Sequence, residues 1–165
     1  MKAMNYSFGT NEYIQDILKK YSTMLIKLAF TYVKNVPDAE DITQEVFISL
    51  MKRDNGFENE EHERAWLIRV TINKCKNHLK SSWIKWSVPI PEDLGYLPEE
   101  DSEVLFHLLE LPTKYRSVIH LYYYENYSIN EIAGLLDKNP ATIGTWLSRG
   151  RSLLKAKLIG GFDNE

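Results

Sequence analysis

The segment between residues 82 and 102 constrains the fold of this chain more than any other feature. It concentrates the helix breakers Pro89, Pro91, Gly95 and Pro98 together with acidic side chains, a composition that is typical of a linker. On both sides of it apolar residues recur at helical spacing, and no stretch alternates as a β-strand would. The sequence therefore predicts an all-α protein of two helical modules, residues 1–81 and 103–165, joined by an acidic, proline-containing linker at 82–102.

Three helices are predicted in the N-terminal module, as a helical bundle. The first begins after Thr10, a plausible cap, and is interrupted at Asn35-Val36-Pro37, because the residue before a proline avoids the helical conformation. The second starts at about Asp38 with an acidic first turn, which the helix dipole favours. A turn-rich loop at 54–61 precedes the third helix, which runs from about residue 63 to residue 81. We expect its buried side to consist of Ala65, Ile68, Ile72, Cys75 and Leu79.

Charge is distributed unevenly along the chain, although the net charge is only −3. Residues 81–111 hold seven acidic residues and one lysine, whereas two stretches of the chain contain bases and no acids. These are Arg69, Lys74, Lys76, Lys80 and Lys85, and then Lys138, Arg149, Arg151, Lys155 and Lys157. A phosphate backbone would meet each stretch separately, so the small net charge does not exclude nucleic acid.

Several classes of protein are excluded by what the sequence lacks. No run approaches the roughly 18 apolar residues of a membrane span, and residues 1–10 lack the apolar core of a secretory signal. Cys75 is the single cysteine, and with His78 it cannot complete a tetrahedral zinc site. There is no P-loop and no dinucleotide fingerprint. We expect a cytoplasmic protein that is not an enzyme and uses no metal or cofactor, with Tyr122, Tyr123, Tyr124 and Tyr127 in a helix–helix core.

Residues 128–154 have the spacing of a helix-turn-helix. Ser128 and Glu131 form a capping box, Asp137-Lys138 predicts a tight turn, and Asn139 with Pro140 starts the second helix. The outward side of that helix is polar and basic, as in helices that enter the major groove of DNA. From spacing alone, an ordinary helical hairpin with a solvated basic face stays open as an alternative. The inward residues are expected to be Ile143, Leu147, Leu154 and Leu158.

These segments carry a family resemblance. The stretches Leu111-Pro-Thr-Lys-Tyr-Arg-Ser-Val-Ile, Tyr127-Ser-Ile-Asn-Glu-Ile-Ala and Leu147-Ser-Arg-Gly-Arg-Ser-Leu-Leu resemble the promoter-binding fourth region of extracytoplasmic-function (ECF) sigma factors. Asp38-Ala-Glu-Asp-Ile-Thr-Gln-Glu-Val-Phe looks like the core-polymerase-binding helix of that family, and Ala65-Trp-Leu-Ile-Arg-Val-Thr-Ile-Asn looks like the start of its promoter-melting helix. The resemblance covers about residues 12–81 and 103–158.

The resemblance implies an alternative sigma factor that binds core RNA polymerase and directs promoter-specific transcription initiation. Residues 1–81 would then correspond to sigma region two, and residues 103–165 to region four with its helix-turn-helix. The implied partners are core RNA polymerase, through its beta-prime clamp helices and beta flap, promoter DNA and an anti-sigma factor. No membrane contact of the chain itself is implied.

The same resemblance assigns three sets of residues. Core polymerase would be bound by Asp38, Asp41, Gln44, Glu45 and Ile48. The minus-ten element would be recognised and opened by Phe57, Arg69, Asn73, Lys76, Asn77 and Lys80. The minus-thirty-five element would be contacted by Asn139, Thr142, Thr145, Trp146, Ser148, Arg149 and Arg151.

Three positions complicate the match. Trp66 aligns with a tryptophan of the family, but a core anchor is the stronger interpretation of it from the residues alone. Gly144 and Trp146 stand where polar or basic residues are expected, which affects the promoter sequence rather than the mode of binding. Two other classes of function stay open: a helix-turn-helix regulator that is not a polymerase subunit, and a protein-interaction adaptor with sigma-like helices.

Overall fold

The computed structural model describes residues 9–81 and 102–163. The predicted linker, apart from Ser102, lies outside these described residues. The described parts contain seven α-helices and one π-helical turn and no β-strand, so the predicted all-α class is confirmed. The chain divides into two units, Met1–Val88 and Pro89–Glu165. Among the described helices, none is long and apolar enough to cross a membrane.

The N-terminal unit is a bundle of three helices: α1 (Asn11–Val33), α2 (Val36–Met51) and α3 (Glu60–Ser81). Thr10 caps α1 by accepting the backbone N–H of Tyr13 at 3.3 Å, and Asn35 caps α2 by accepting that of Asp38 at 3.1 Å. All three helices pack against one another. Their core contains Ile17, Leu25, Leu28, Val46, Leu50, Leu67, Ile68 and Ile72.

Helix α3 begins one turn before the predicted start. The cause is a cap, because the side-chain oxygen of Asn59 accepts the backbone N–H of His62 at 2.8 Å. The helix therefore opens at Glu60 rather than at Glu63.

The buried side of α3 is also rotated from the predicted one. Ile68, Ile72 and Cys75 are buried as expected, whereas Ala65 is half exposed and Leu79 is 37% exposed. Leu67 and Thr71 are buried in their place, with the Thr71 hydroxyl donating to the Leu67 carbonyl at 2.7 Å. Because this stripe faces α1 and α2, the opposite side of α3 is left to its polar residues.

The C-terminal unit contains α4 (Ser102–Leu109), α5 (Thr113–Ile119), a π-helical turn (His120–Tyr124), α6 (Ile129–Leu136) and α7 (Pro140–Asp163). The predicted capping box is confirmed, since Ser128 and Glu131 exchange two side-chain-to-backbone hydrogen bonds of 3.1 Å. Asp137 adopts a left-handed conformation with φ of 54° in the tight turn before α7. Helix α7 then packs against α4, α5 and α6.

Helices α5 and α7 pack closely against each other at Gly150. A Cβ atom at this position would lie 2.9 Å from Ile119 Cδ1 and 3.1 Å from Tyr115 Cβ. Those distances are shorter than packed carbon atoms adopt, so the absence of a side chain lets the helices meet.

Of the four tyrosines expected in a helix–helix core, Tyr127 is buried and Tyr122 is half buried, whereas the other two are exposed. Tyr123 is 49% exposed and Tyr124 is 36% exposed. The π turn is the physical reason, because its i→i+5 hydrogen bonds widen the turn and shift the side chains that follow. Leu154 and Leu158 are likewise half buried rather than fully buried.

Candidate nucleic-acid and partner interfaces

The outer side of α2 combines acidic, amide and apolar residues. Asp41, Gln44 and Glu45 are exposed, and Ile48, on the same side, is 44% exposed although isoleucine is normally buried. Glu45 approaches Lys74 of α3 only at 4.0 Å, which is a weak contact at a surface. Such a surface suits a partner that offers both basic and apolar groups.

Asp38 differs from the other four residues of its predicted set. It is half buried, and its Oδ2 lies 3.1 Å from Nε2 of His78. This contact links the start of α2 to the end of α3. The structure therefore groups Asp41, Gln44, Glu45 and Ile48 on one exposed side and holds Asp38 within the bundle.

The predicted minus-ten residues of α3 lie on one side of the helix. Arg69, Asn73 and Asn77 follow one another at intervals of four residues. Lys76 and Lys80 lie beside them, at helical spacing from Asn73 and Asn77. All five are exposed. Amides can read base edges and cations can meet phosphates, so this side offers both kinds of contact.

An aromatic cluster stands at the N-terminal end of that side. The Phe57 ring lies 5.3 Å from the ring of His62 and 5.6 Å from that of Trp66, measured between centroids. The guanidinium of Arg53 lies over both Phe57, at 4.3 Å, and Trp66, at 5.2 Å. Trp66 is half buried, so it is part of this cluster rather than a fully buried anchor. Sequence reasoning missed Arg53, because its contact with Trp66 depends on how the loop and α3 meet in space.

A buried hydrogen bond supports the same end of α3. The Tyr13 hydroxyl of α1 donates to Glu63 Oε2 at 2.7 Å, and both residues are buried. Burial first, and then the bond to Glu63, raises the pKa of Tyr13 far above its ordinary value of 10.0. The phenol therefore stays protonated and able to donate.

The predicted minus-thirty-five residues occupy the start of α7. Asn139 caps the helix by accepting the backbone N–H of Ala141 at 3.0 Å. Thr145, Ser148 and Arg149 are exposed on one side, with Thr142 half buried beside them. This arrangement presents hydroxyls and a cation along the first three turns of α7, which suits contacts with phosphates and base edges.

Trp146 lies at the edge of that side. It is half buried, and the ammonium of Lys114 lies 5.8 Å from its ring centroid. Trp146 thus packs toward α5 and brings Lys114 beside the N-terminal half of α7.

Comparison with known proteins gives these surfaces a context. The model of sigma-70 region 2 matches residues 17–84, and that of sigma-70 region 4 matches residues 103–154. The ECF RNA polymerase sigma factor SigW of Bacillus subtilis is 29% identical, with 91% of each chain covered. The ECF RNA polymerase sigma-E factor of Escherichia coli is 25% identical, over 86% of this chain and 84% of its own. The chain belongs to the ECF sigma factors. It is an alternative sigma factor that directs promoter-specific transcription initiation, and not a generic regulator.

Solved structures show the same fold as this sigma factor. RpoE of Bartonella quintana, in complex with the anti-sigma factor NepR, matches with a TM-score of 0.68 and 21% identity, over 90% of this chain and 98% of its own. CnrH, in complex with the cytosolic domain of CnrY, matches with a TM-score of 0.64 and 22% identity, over 92% and 91%.

In this sigma factor Arg151 is not beside Arg149. Two residues correspond to about 200° around a helix, and Arg151 Nη1 donates to the Tyr123 hydroxyl at 3.1 Å. Arg151 lines an apolar groove of about 600 Å³ between α4, the π turn and the C-terminal half of α7. The groove was not foreseen from the sequence. Its walls include Val104, Ile119, Tyr124, Leu154, Leu158 and Ile159.

Cys75 has no role at any of these surfaces. It is buried between the helices of the bundle, and burial raises the pKa of its thiol to about 12. The thiol is therefore neutral at physiological pH and packs as a small apolar group, as the sequence predicted.

Proposed function

We propose that the exposed side of α2 binds core RNA polymerase at its beta-prime clamp helices. Asp41, Gln44 and Glu45 would supply charged and hydrogen-bonding contacts, and Ile48 an apolar one. Asp38 would act indirectly, because its contact with His78 holds the first turn of α2 in place. The support is the pairing of exposed acids with an exposed isoleucine on one side of one helix.

The polar side of α3 and the loop before it recognise and open the minus-ten element. This is the assignment that the geometry supports best, since Arg69, Asn73, Lys76, Asn77 and Lys80 are all exposed on one side. The aromatic cluster around Phe57 ends that side and supplies a stacking group for an unpaired base.

The start of α7 enters the major groove at the minus-thirty-five element. Asn139, Thr142, Thr145, Ser148 and Arg149 face the DNA, with Trp146 at the edge of the contact. Arg151 lies on another side of the helix and lines the apolar groove of the C-terminal unit instead.

The apolar groove of the C-terminal unit takes the beta flap of the polymerase. Its walls are apolar and its rim carries Arg151 and Lys155, so it suits an amphipathic segment with acidic residues. Because Arg149 points elsewhere, DNA and the flap can bind at the same time. An anti-sigma factor, such as the one bound by RpoE of Bartonella quintana, would compete for these surfaces.

Residues 1–81 and 103–165 act as the two modules, joined by the linker at 82–102. The chain itself forms no covalent bond in the reaction, which is the work of the polymerase that it recruits in the cytoplasm. It requires no cofactor of its own.

Transcription by purified bacterial core polymerase on a library of random promoters tests this function. With the chain added, we expect new start sites that share two upstream elements. Duplex binding without new starts would contradict the proposed contact of α2 with polymerase. The absence of both new starts and duplex binding would contradict the proposed contacts with polymerase and with DNA.

A further inference from the structure

Arg53 and Phe57 hold the loop between α2 and α3 against the rest of the bundle. In the stretch from residue 53 to residue 59, Asp54, Asn55, Gly56, Glu58 and Asn59 are exposed, whereas Arg53 and Phe57 are half buried. Arg53 donates through Nε to the carbonyl of Asn55 at 2.8 Å, and through Nη2 to that of Gly56 at 3.5 Å. Its guanidinium also covers the rings of Phe57 and Trp66.

We infer that Arg53 is a positioning residue for promoter opening, which holds the loop and Phe57 in the shape that captures an unpaired base of the minus-ten element. This inference rests on the proposed role of the loop and α3. Arg53 links three parts of that site: the backbone of the loop, the aromatic ring within it, and Trp66 at the start of the exposed side of α3.

The energetic reason is preorganisation. Extracting a base from a duplex has a cost, which only contacts made after extraction can offset. An exposed loop that must first order itself would spend part of that contact energy on its own conformational entropy. Arg53 orders the loop before DNA arrives, because its N–H donors meet two carbonyls while its positive charge lies over two aromatic rings.

The neighbouring Lys52 provides a matched control. It carries the same charge one residue earlier and is exposed at the end of α2. Arg53→Gln and Lys52→Gln therefore remove the same charge from the same region of the protein. Arg53→Lys keeps the charge but loses the fork of N–H donors and the planar shape of the guanidinium.

The experiment uses the full chain with core polymerase and a promoter that carries 2-aminopurine in its minus-ten element. Fluorescence of this base rises when it leaves the stack. We expect Arg53→Gln to lower the rate of the fluorescence rise by about tenfold relative to Lys52→Gln. Arg53→Lys should fall between them. Affinity for core polymerase and for the minus-thirty-five duplex should stay within about twofold of wild type.

A promoter with a pre-opened mismatched bubble separates positioning from general damage. Because the bubble removes the cost of unpairing, we expect the transcription defect of Arg53→Gln to be several-fold smaller on it than on duplex promoter. If Arg53→Gln and Lys52→Gln opened the promoter at equal rates, the inference on Arg53 would be overturned, while the proposed minus-ten function would stand. A loss of polymerase binding by Arg53→Gln would have the same consequence. No fluorescence change with the wild-type chain would overturn the proposed minus-ten function, and the inference with it.

Discussion

At the scale of single residues, two arginines two positions apart on α7 have different surroundings. Arg149 is exposed beside Thr145 and Ser148, whereas Arg151 donates to Tyr123 at 3.1 Å on the wall of the groove. We expect Arg149→Glu to weaken binding of the minus-thirty-five duplex by about tenfold or more, and to flatten its salt dependence by about one unit of slope. Binding titrations at several salt concentrations would measure both.

Arg151→Glu is the matched variant, because it changes the net charge of the same helix by the same amount. It should leave duplex affinity within about threefold of wild type and weaken the association of the C-terminal unit with polymerase. Equal losses of DNA affinity from the two substitutions would show that Arg151 also faces DNA.

Two glycines of α7 also differ in the space around them. A Cβ at Gly150 would lie 2.9 Å from Ile119 Cδ1, whereas one at Gly144 would meet nothing within 4 Å. We expect Gly150→Val to destabilise the protein by about 1–3 kcal/mol through overpacking. Gly144→Ala should stabilise it by up to about 1 kcal/mol through helix propensity. Thermal unfolding followed by circular dichroism would compare them, and an unchanged midpoint for Gly150→Val would refute the close contact.

At the scale of the helices, an ion pair joins α1 to α3. Lys20 Nζ lies 2.6 Å from Glu60 Oε1; this hydrogen bond raises the pKa of Lys20 and lowers that of Glu60. The contribution of Glu60 to the free energy of unfolding is therefore present above its ordinary pKa of 4.5, and it is lost as pH falls through the lowered pKa. The contribution of Lys20 to the free energy of unfolding is present below its ordinary pKa of 10.5, and it is lost as pH rises through the raised pKa.

We accordingly expect Lys20→Gln to lower the free energy of unfolding slightly at pH 7, because both groups are near the surface. The difference from wild type should disappear at a second, acidic pH below the lowered pKa of Glu60, where the glutamate is protonated. Urea unfolding at both pH values would measure it, with Lys19→Gln as an exposed control. A difference that persisted at low pH would mean that packing, not charge, joins the helices here.

The helices themselves could be predicted from sequence because their signals are local. The cap at Thr10 and the box at Ser128 and Glu131 depend on residues within one turn. The contacts of Arg53 with Trp66, and of Arg151 with Tyr123, depend on how separate elements meet in space. Periodicity carries no information on such contacts, so the positioning residue and the groove appear only in the structure.

At the scale of the whole molecule, acidic residues on α2 and basic residues on α3 and α7 should serve different partners. We expect Asp41→Lys with Glu45→Lys to weaken binding of core polymerase by about a hundredfold or more, because two repulsive contacts replace two attractive ones. Binding would be measured by competition with the wild-type chain, and helicity by circular dichroism.

Glu12→Lys with Asp16→Lys is the matched control on α1. The two residues are exposed, lie four positions apart and produce the same change of net charge. If the local surface of α2 carries the interaction, this control should bind polymerase within about threefold of wild type, while the α2 variant does not. Equal losses would mean that the overall charge of the N-terminal unit steers association. Retained binding by both variants would remove α2 from the polymerase interface.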